Sequence, residues 1–158
     1  MKWVTKSNAK VDRIACPWVI RRFIDADAEF LYVPADQVLT VAAREGATPY
    51  DVPGVELGHV AGRCSFESFL ERYGLTVDPA LAEVGRIVHA ADVPADADTA
   101  KEGHGLRAIA EGFAMLHGAD DHRKIELEFP LYDALYAWCR EKTGARAPAP
   151  TPAPATAA

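Results

Sequence analysis

Asp78-Pro79-Ala80-Leu81-Ala82-Glu83-Val84-Gly85-Arg86-Ile87-Val88-His89-Ala90-Ala91-Asp92 is the stretch on which the fold reading turns. Asp78-Pro79 opens a helix, because proline presets the helical φ and its missing N–H would have no intrahelical partner in the first turn. Leu81, Val84, Gly85 and Val88 then recur at three- and four-residue spacing, an apolar stripe that continues to about Ala91. A helix with such a stripe must lay it against other elements.

Working outward, Phe66, Phe69, Leu70 and Tyr73 predict a helix over Ser65 to Tyr73, with Ser65 as N-cap and Gly74 beyond its end. Asp36 to Glu45 reads as a helix capped by Asp36 and stopped by Gly46. Cys16 to Ile24 reads as another, with Pro17 at its first helical position. Val19, Ile20, Phe23 and Ile24 fall on one side of it, and Trp18, Arg21, Arg22 and Asp25 on the other. Downstream, Ile109 and Phe113 extend the pattern over Leu106 to His117, and Pro130 to Lys142 forms a last helix closed by Gly144. Trp3 to Thr5, Glu29 to Val33 and Thr48 to Val52 are short strand candidates; the second ends at Pro34 and the third leads into a Pro53-Gly54 turn. The fold class is therefore α+β, a predominantly helical single domain with a small β-sheet, over residues 1–144. Residues 145–158 are almost entirely Ala, Pro and Thr, with prolines at 148, 150, 152 and 154, and read as a disordered tail.

Composition bounds the function. The chain has 158 residues, 49% hydrophobic and 25% charged, the balance of a globular domain with its own core. The formal charge is −6, and the body without the tail holds 16 basic and 23 acidic residues. This argues against a primary nucleic-acid binder, which needs surplus Lys and Arg to neutralise phosphate. The N-terminus lacks the apolar run of a secretory signal, and no stretch could span a membrane. Cys16, Cys64 and Cys139 are odd in number and widely spaced, with no disulfide framework. A reducing, cytoplasmic setting is expected.

Asp92 is the anomaly in the opening stretch. It continues the apolar face and sits at a helix C-terminus, where its charge opposes the helix dipole. A carboxylate disfavoured twice over calls for a cation nearby, and His89, three residues earlier, points to the same side. An imidazole and a carboxylate suit a divalent metal; a turn residue before Pro94 beside a core histidine is the plain alternative. Glu56 and His59 lie in a loop set off by Gly54 and Gly58, a common place for ligands. Glu67, in the first turn of its helix, is accounted for by the dipole alone unless it faces the same cavity as His59 and His89. Cys64, just before that helix, is set aside as a ligand, since a thiolate would shift the preference toward zinc. Arg13 and Arg21 are candidate holders of a tetrahedral oxyanion, with Asp25 a rival partner for Arg21. His104, His117 and His122 sit in Gly- or Asp-rich turns and read as surface residues. No Walker loop, GxGxxG or Ser/His/Asp order stands in its required setting.

Asp12-Arg13-Ile14-Ala15-Cys16-Pro17-Trp18-Val19-Ile20-Arg21-Arg22-Phe23-Ile24-Asp25 closely resembles the opening signature of the ChrB-type chromate-resistance domain. Similar segments follow in the family's order: Tyr50-Asp51-Val52-Pro53-Gly54, Gly58-His59, Cys64-Ser65-Phe66-Glu67, Ile87-Val88-His89-Ala90-Ala91-Asp92, Asp120-Asp121-His122, and Tyr132-Asp133-Ala134-Leu135-Tyr136-Ala137-Trp138. The resemblance covers about residues 3 to 142 and implies a part in the chromate stress response. Longer members are linked to chromate-responsive regulation and carry a region ahead of this domain. Here the signature begins near residue 1, so direct transcriptional control is not expected. His59, His89 and Asp92 all fall inside matched segments. They are expected to converge on one Zn, Mn or Fe ion, with Glu67 as fourth ligand or Glu56 as its substitute. Three readings stay open: a metal-binding domain that senses or handles an oxyanion; a metal-dependent lyase or hydrolase acting on a small anionic substrate; and an interaction module without chemistry.

Overall fold

A computed structural model describes residues 1–145. Strand β1 (Lys2–Lys6) lies between β2 (Glu29–Val33) and β3 (Thr48–Pro49), and both pairings are parallel. Parallel neighbours need crossover connections. Helix α1 (Val11–Val19) supplies the one from β1 to β2, and α2 (Val38–Glu45) the one from β2 past β1 to β3. Consecutive side chains on a strand point to opposite faces. Trp3 accordingly joins the main core with Ile14, Trp18, Phe66 and Phe69, while Val4 joins a small core with Val38, Val41 and Ala42 of α2. The two crossovers thus cover opposite faces, and a crevice opens beyond the carboxyl ends of β1 and β3.

The remaining helices, α3 (Ser65–Arg72), α4 (Pro79–Asp92), α5 (Lys101–His117) and α6 (Asp121–Thr143), build the main core. Helix α4 is its axis and packs on α1, α3, α5 and α6. Its expected stripe is buried, and so are Ala80, Ile87, Ala90 and Ala91, because neighbours surround it. Asp78 caps it, accepting from the N–H groups of Ala80 (2.8 Å) and Leu81 (3.2 Å). Each fully buried large side chain, such as Trp3, Trp18 or Leu81, contributes about 1.5–3 kcal/mol.

The elements follow the expected α+β class, with different bounds in places. Helix α1 begins at Val11, so Pro17 lies inside it. The N–H that Pro17 lacks would have served the Arg13 carbonyl, which instead accepts from the Tyr32 hydroxyl at 2.9 Å. The helix ends in a wider π turn, Ile20–Ile24. Helix α5 starts at Lys101, five residues before Leu106, and carries His104 on a helix rather than in a turn. Two glycines hide this start, and one of them, Gly103, is needed for contact: a Cβ there would stand 2.7 Å from that of Ala90. Helix α6 begins at Asp121, capped by Asp120, so Pro130 is also interior. Buried Lys124 donates to the Ala9 carbonyl (2.8 Å) and pairs with Asp121 (2.9 Å), which accepts from the Ala9 N–H (2.7 Å). The link between β1 and α1 is thereby pinned to α6. Strand β3 is two residues long, shorter than the expected Thr48 to Val52. No helix among the described residues is long and apolar enough to cross a membrane. The expected tail, apart from Ala145, lies outside the described residues.

Candidate metal centre

The N-terminus of α3 gathers two clusters of metal-ligating side chains. Asp12, in the first turn of α1 and 1% exposed, accepts from the backbone N–H groups of Ser65 (2.7 Å) and Phe66 (3.3 Å), capping α3 from another helix. Asp51 follows β3 and takes the Ser65 hydroxyl (2.7 Å) and Arg13 Nη1 (3.1 Å). Asp92 closes α4. His59 comes from the long loop between β3 and α3, where the Ser68 hydroxyl donates to the Gly58 carbonyl at 2.7 Å. Gly58 has no room for a side chain, since a Cβ would lie 2.8 Å from the Val52 carbonyl oxygen.

These elements bring three carboxylates around one nitrogen. His59 Nε2 stands 3.1 Å from Asp92, 3.3 Å from Asp12 and 3.5 Å from Asp51. One N–H cannot satisfy three acceptors. Donors bonded to one ion at about 2.0–2.2 Å stand about 2.8–3.6 Å from each other in octahedral or tetrahedral geometry, and all three spacings fall in that range. Strain collects here too. Asn8, Asp51 and Ala61 are the non-glycine residues with left-handed φ (60°, 50° and 52°) among those described. Asp51 is in the cluster, Asn8 holds Arg13 through its carbonyl, and Ala61 lies two residues past His59.

The charges respond to this crowding. The Asp12 and Asp51 carboxylates hold the His59 imidazolium up to about 10. Burial, then the charges of Asp12 and Asp51, push the Asp92 carboxyl up to about 7. Burial raises Asp12 as well. Burial works against the Asp51 carboxylate, but His59, Ser65 and Arg13 hold it below its usual range. Negative charge is in excess at this centre, and the carboxylates compete for one proton.

The second cluster lies at the same α3 N-terminus. His89, one turn before Asp92 on α4, meets Glu67 Oε2 through Nδ1 (2.6 Å) and Asp96 Oδ2 through Nε2 (2.7 Å). Glu67 also accepts the Cys64 N–H (2.9 Å). The Cys64 sulfur, a Glu67 oxygen and a His89 nitrogen lie within 4.8 Å of one another. Burial works against the His89 imidazolium, but Asp96 and Glu67 raise it above its usual range. Burial, then the Asp12 charge, pushes the Cys64 thiol far up.

The four expected ligands are therefore divided: His59 with Asp92, and Glu67 with His89. Glu56 is exposed and paired with Arg72 (3.0 Å). Arg13 borders the first cluster through Asp51. Arg21 joins neither: it donates to the Ala28 carbonyl and lies over the Phe30 and Phe129 rings. Its expected rival partner Asp25 accepts instead from Trp3 Nε1 and the Met1 amino group, while Asp133 takes Arg22. His104 pairs with exposed Asp98, His117 stacks on Phe113, and His122 sits edge-on to Tyr32. Asp12, Asp51 and Asp96 complete the clusters and are absent from the sequence-based ligand set. A cleft of about 480 Å³ opens on the first cluster, lined by Lys6, Asp51, Val52, Pro53, Gly54 and His59. Lys6 ends β1 and the others follow β3, at the point where the strand order changes direction; parallel α/β sheets bind ligands at this kind of position.

A compact α+β domain with two His–carboxylate clusters at one helix N-terminus is the class that fold and site define. Residues 3–139 match the family described as ChrB, C-terminal domain, and the chain belongs to that family. The curated relative "Protein ChrB" of Cupriavidus metallidurans is 34% identical over 135 residues, which are 85% of this chain and 40% of the relative. The chain thus spans about 40% of the length of that relative. No solved structure gives a significant match.

Proposed function

We propose that the chain is a metal-binding domain of the chromate-resistance system, with a first-row divalent ion on Asp12, His59 and Asp92 and Asp51 at its edge. The observation that supports this reading is the crowding of three carboxylates on one imidazole nitrogen at 3.1–3.5 Å. Two carboxylates to one imidazole, with a third carboxylate at the edge, is an oxygen-rich, hard donor set, which favours Mn or Fe(II) over Zn among the candidate ions. A small oxyanion or other anionic ligand enters by the cleft beyond β1 and β3, where Lys6 supplies a positive charge and Arg13 remains on Asp51. Sensing or handling of the anion in the cytoplasm is the role that fits such a site. Turnover of an organic substrate is the second reading, for which the cleft is large enough.

The test is metal content of protein purified without a metal-affinity tag and loaded with each ion. Near-stoichiometric Mn or Fe(II) binding is expected for wild type, with loss in His59→Ala, Asp12→Asn and Asp92→Asn variants shown to be folded. Wild type that shows no His59-dependent binding after incubation with Mn, Fe(II) and Zn overturns the reading.

A further inference from the structure

The second cluster carries a site of a different kind. Five carboxylates, Asp12, Asp51, Glu67, Asp92 and Asp96, surround the N-terminus of α3. The cations that touch them are Arg13 and, when protonated, His59 and His89. Negative charge therefore exceeds positive even with both imidazoles charged, and an ion in the first centre would displace the His59 proton. Cys64 faces this field from a fully buried position, its sulfur within 4.8 Å of a Glu67 oxygen and a His89 nitrogen.

We propose that Cys64 Sγ, Glu67 Oε2 and His89 Nδ1 form a second, thiolate-containing metal site for a zinc-type ion, with Asp96 as the carboxylate that orients His89. The donor set of sulfur, nitrogen and oxygen is that of zinc rather than of a hard cation. Glu67 Oε2 and His89 Nδ1 stand 2.6 Å apart, a contact that requires a proton between them, and a bound ion would take that proton's place. Binding removes one proton from His89 Nδ1 and one from Cys64 Sγ, and both leave to solvent. Nε2–H stays on Asp96 (2.7 Å), the arrangement by which a carboxylate fixes the tautomer of a metal-bound histidine. A cleft of about 170 Å³, lined by Arg63, Glu67, Leu70, Glu71, Thr76 and Ala82, gives water and ions a way to Glu67. The two sites share no ligand, so this inference does not rest on the His59 centre.

The experiment is cobalt(II) titration of the full chain, read by the near-ultraviolet thiolate-to-cobalt charge-transfer band and by proton release in weak buffer. The band is expected in wild type and in His59→Ala, absent in Cys64→Ser, and accompanied by release of two protons. Asp96→Asn, at a half-exposed position that tolerates change, should retain the band and bind zinc about 10–100-fold more weakly. That variant carries the test should Cys64→Ser not fold. A wild type without the band at excess cobalt, a band that survives in Cys64→Ser, or unchanged zinc affinity in Asp96→Asn overturns the proposal. Loss of the band in His59→Ala would do so as well, by making the two centres one.

Discussion

The two clusters at the α3 N-terminus use the same residue types to different effect. Around His59, one nitrogen faces three carboxylates at 3.1–3.5 Å, too many acceptors for its proton. Around His89, each ring nitrogen has a single carboxylate at 2.6–2.7 Å, and protons satisfy the set. Distance and stoichiometry, more than residue identity, separate a centre short of positive charge even with His59 protonated from one in which each ring nitrogen is matched by one carboxylate. The parts that hold them differ as well. Glu67 and His89 stand on two packed helices, whereas His59 rides on a loop tied down by Ser68 and Gly58.

The largest effect is expected at Asp12, which serves both the first centre and the cap of α3. Asp12→Ala removes a proposed ligand and leaves the Ser65 and Phe66 N–H groups without their acceptor. It should cost about 1–3 kcal/mol in urea denaturation, besides abolishing metal at the first centre. Stability equal to wild type would mean that the cap is dispensable. Gly103→Ala tests what the centres share. Its Cβ would press on Ala90 and on the Ala91 nitrogen, between His89 and Asp92. A loss of about 1–3 kcal/mol is expected, with weaker metal binding at both centres. Weakening at one centre alone would show that they are anchored separately.

The pH dependence of chelator-treated protein separates the centres more finely. His59 is raised from 6.5 to about 10, so the folded state holds its proton more tightly than the unfolded chain. That stability is present below about 6.5 and is lost as pH rises through about 10. Asp92, raised from 3.8 to about 7, adds a decline over the lower part of the range, because ionising it among Asp12 and Asp51 is unfavourable. The thermal midpoint should fall from about pH 4 to pH 10 in wild type, and His59→Gln should flatten the upper half. A midpoint that rises toward pH 10 would contradict the crowding at His59. Glu56→Gln should do least. Its exposed pair with Arg72 is worth under about 0.5 kcal/mol, and neither metal content nor stability should move measurably.

How far the sequence reaches is visible in α4 and α1. In α4 an uninterrupted apolar period and an Asp-Pro start give the helix its correct bounds, and Asp92 is conspicuous as a charge on the apolar stripe. Asp12 is the same anomaly: in α1 it shares a buried face with Ala15, Cys16 and Val19. It goes unnoticed because Pro17 suggests a helix start beyond it. Prolines mislead again at Pro130, and the glycines of α5 weaken a helix signal that close contact with Ala90 requires. Asp51 carries no periodic signal, since its place depends on a left-handed turn after a two-residue strand. The parallel pairing of the sheet is set by crossovers that no local pattern encodes. The pairing of His89 with Glu67 rather than with His59 depends on how α3 meets α4, a tertiary fact.

The i, i+3 placement of His89 and Asp92 on one rigid helix has a consequence for linkage. Three residues rise about 4.5 Å along an α-helix, well inside the screening length of about 8 Å at physiological salt. A cation held by Asp92 therefore repels a cation held by His89, and each unloaded centre answers to the charge on its neighbour. Thermodynamic reciprocity makes the penalty symmetric: the factor by which a filled first centre weakens the second is the factor by which a filled second weakens the first. Two metal sites so placed would bind cations with negative cooperativity, and an anion that neutralised the ion at one of them would strengthen binding at the other.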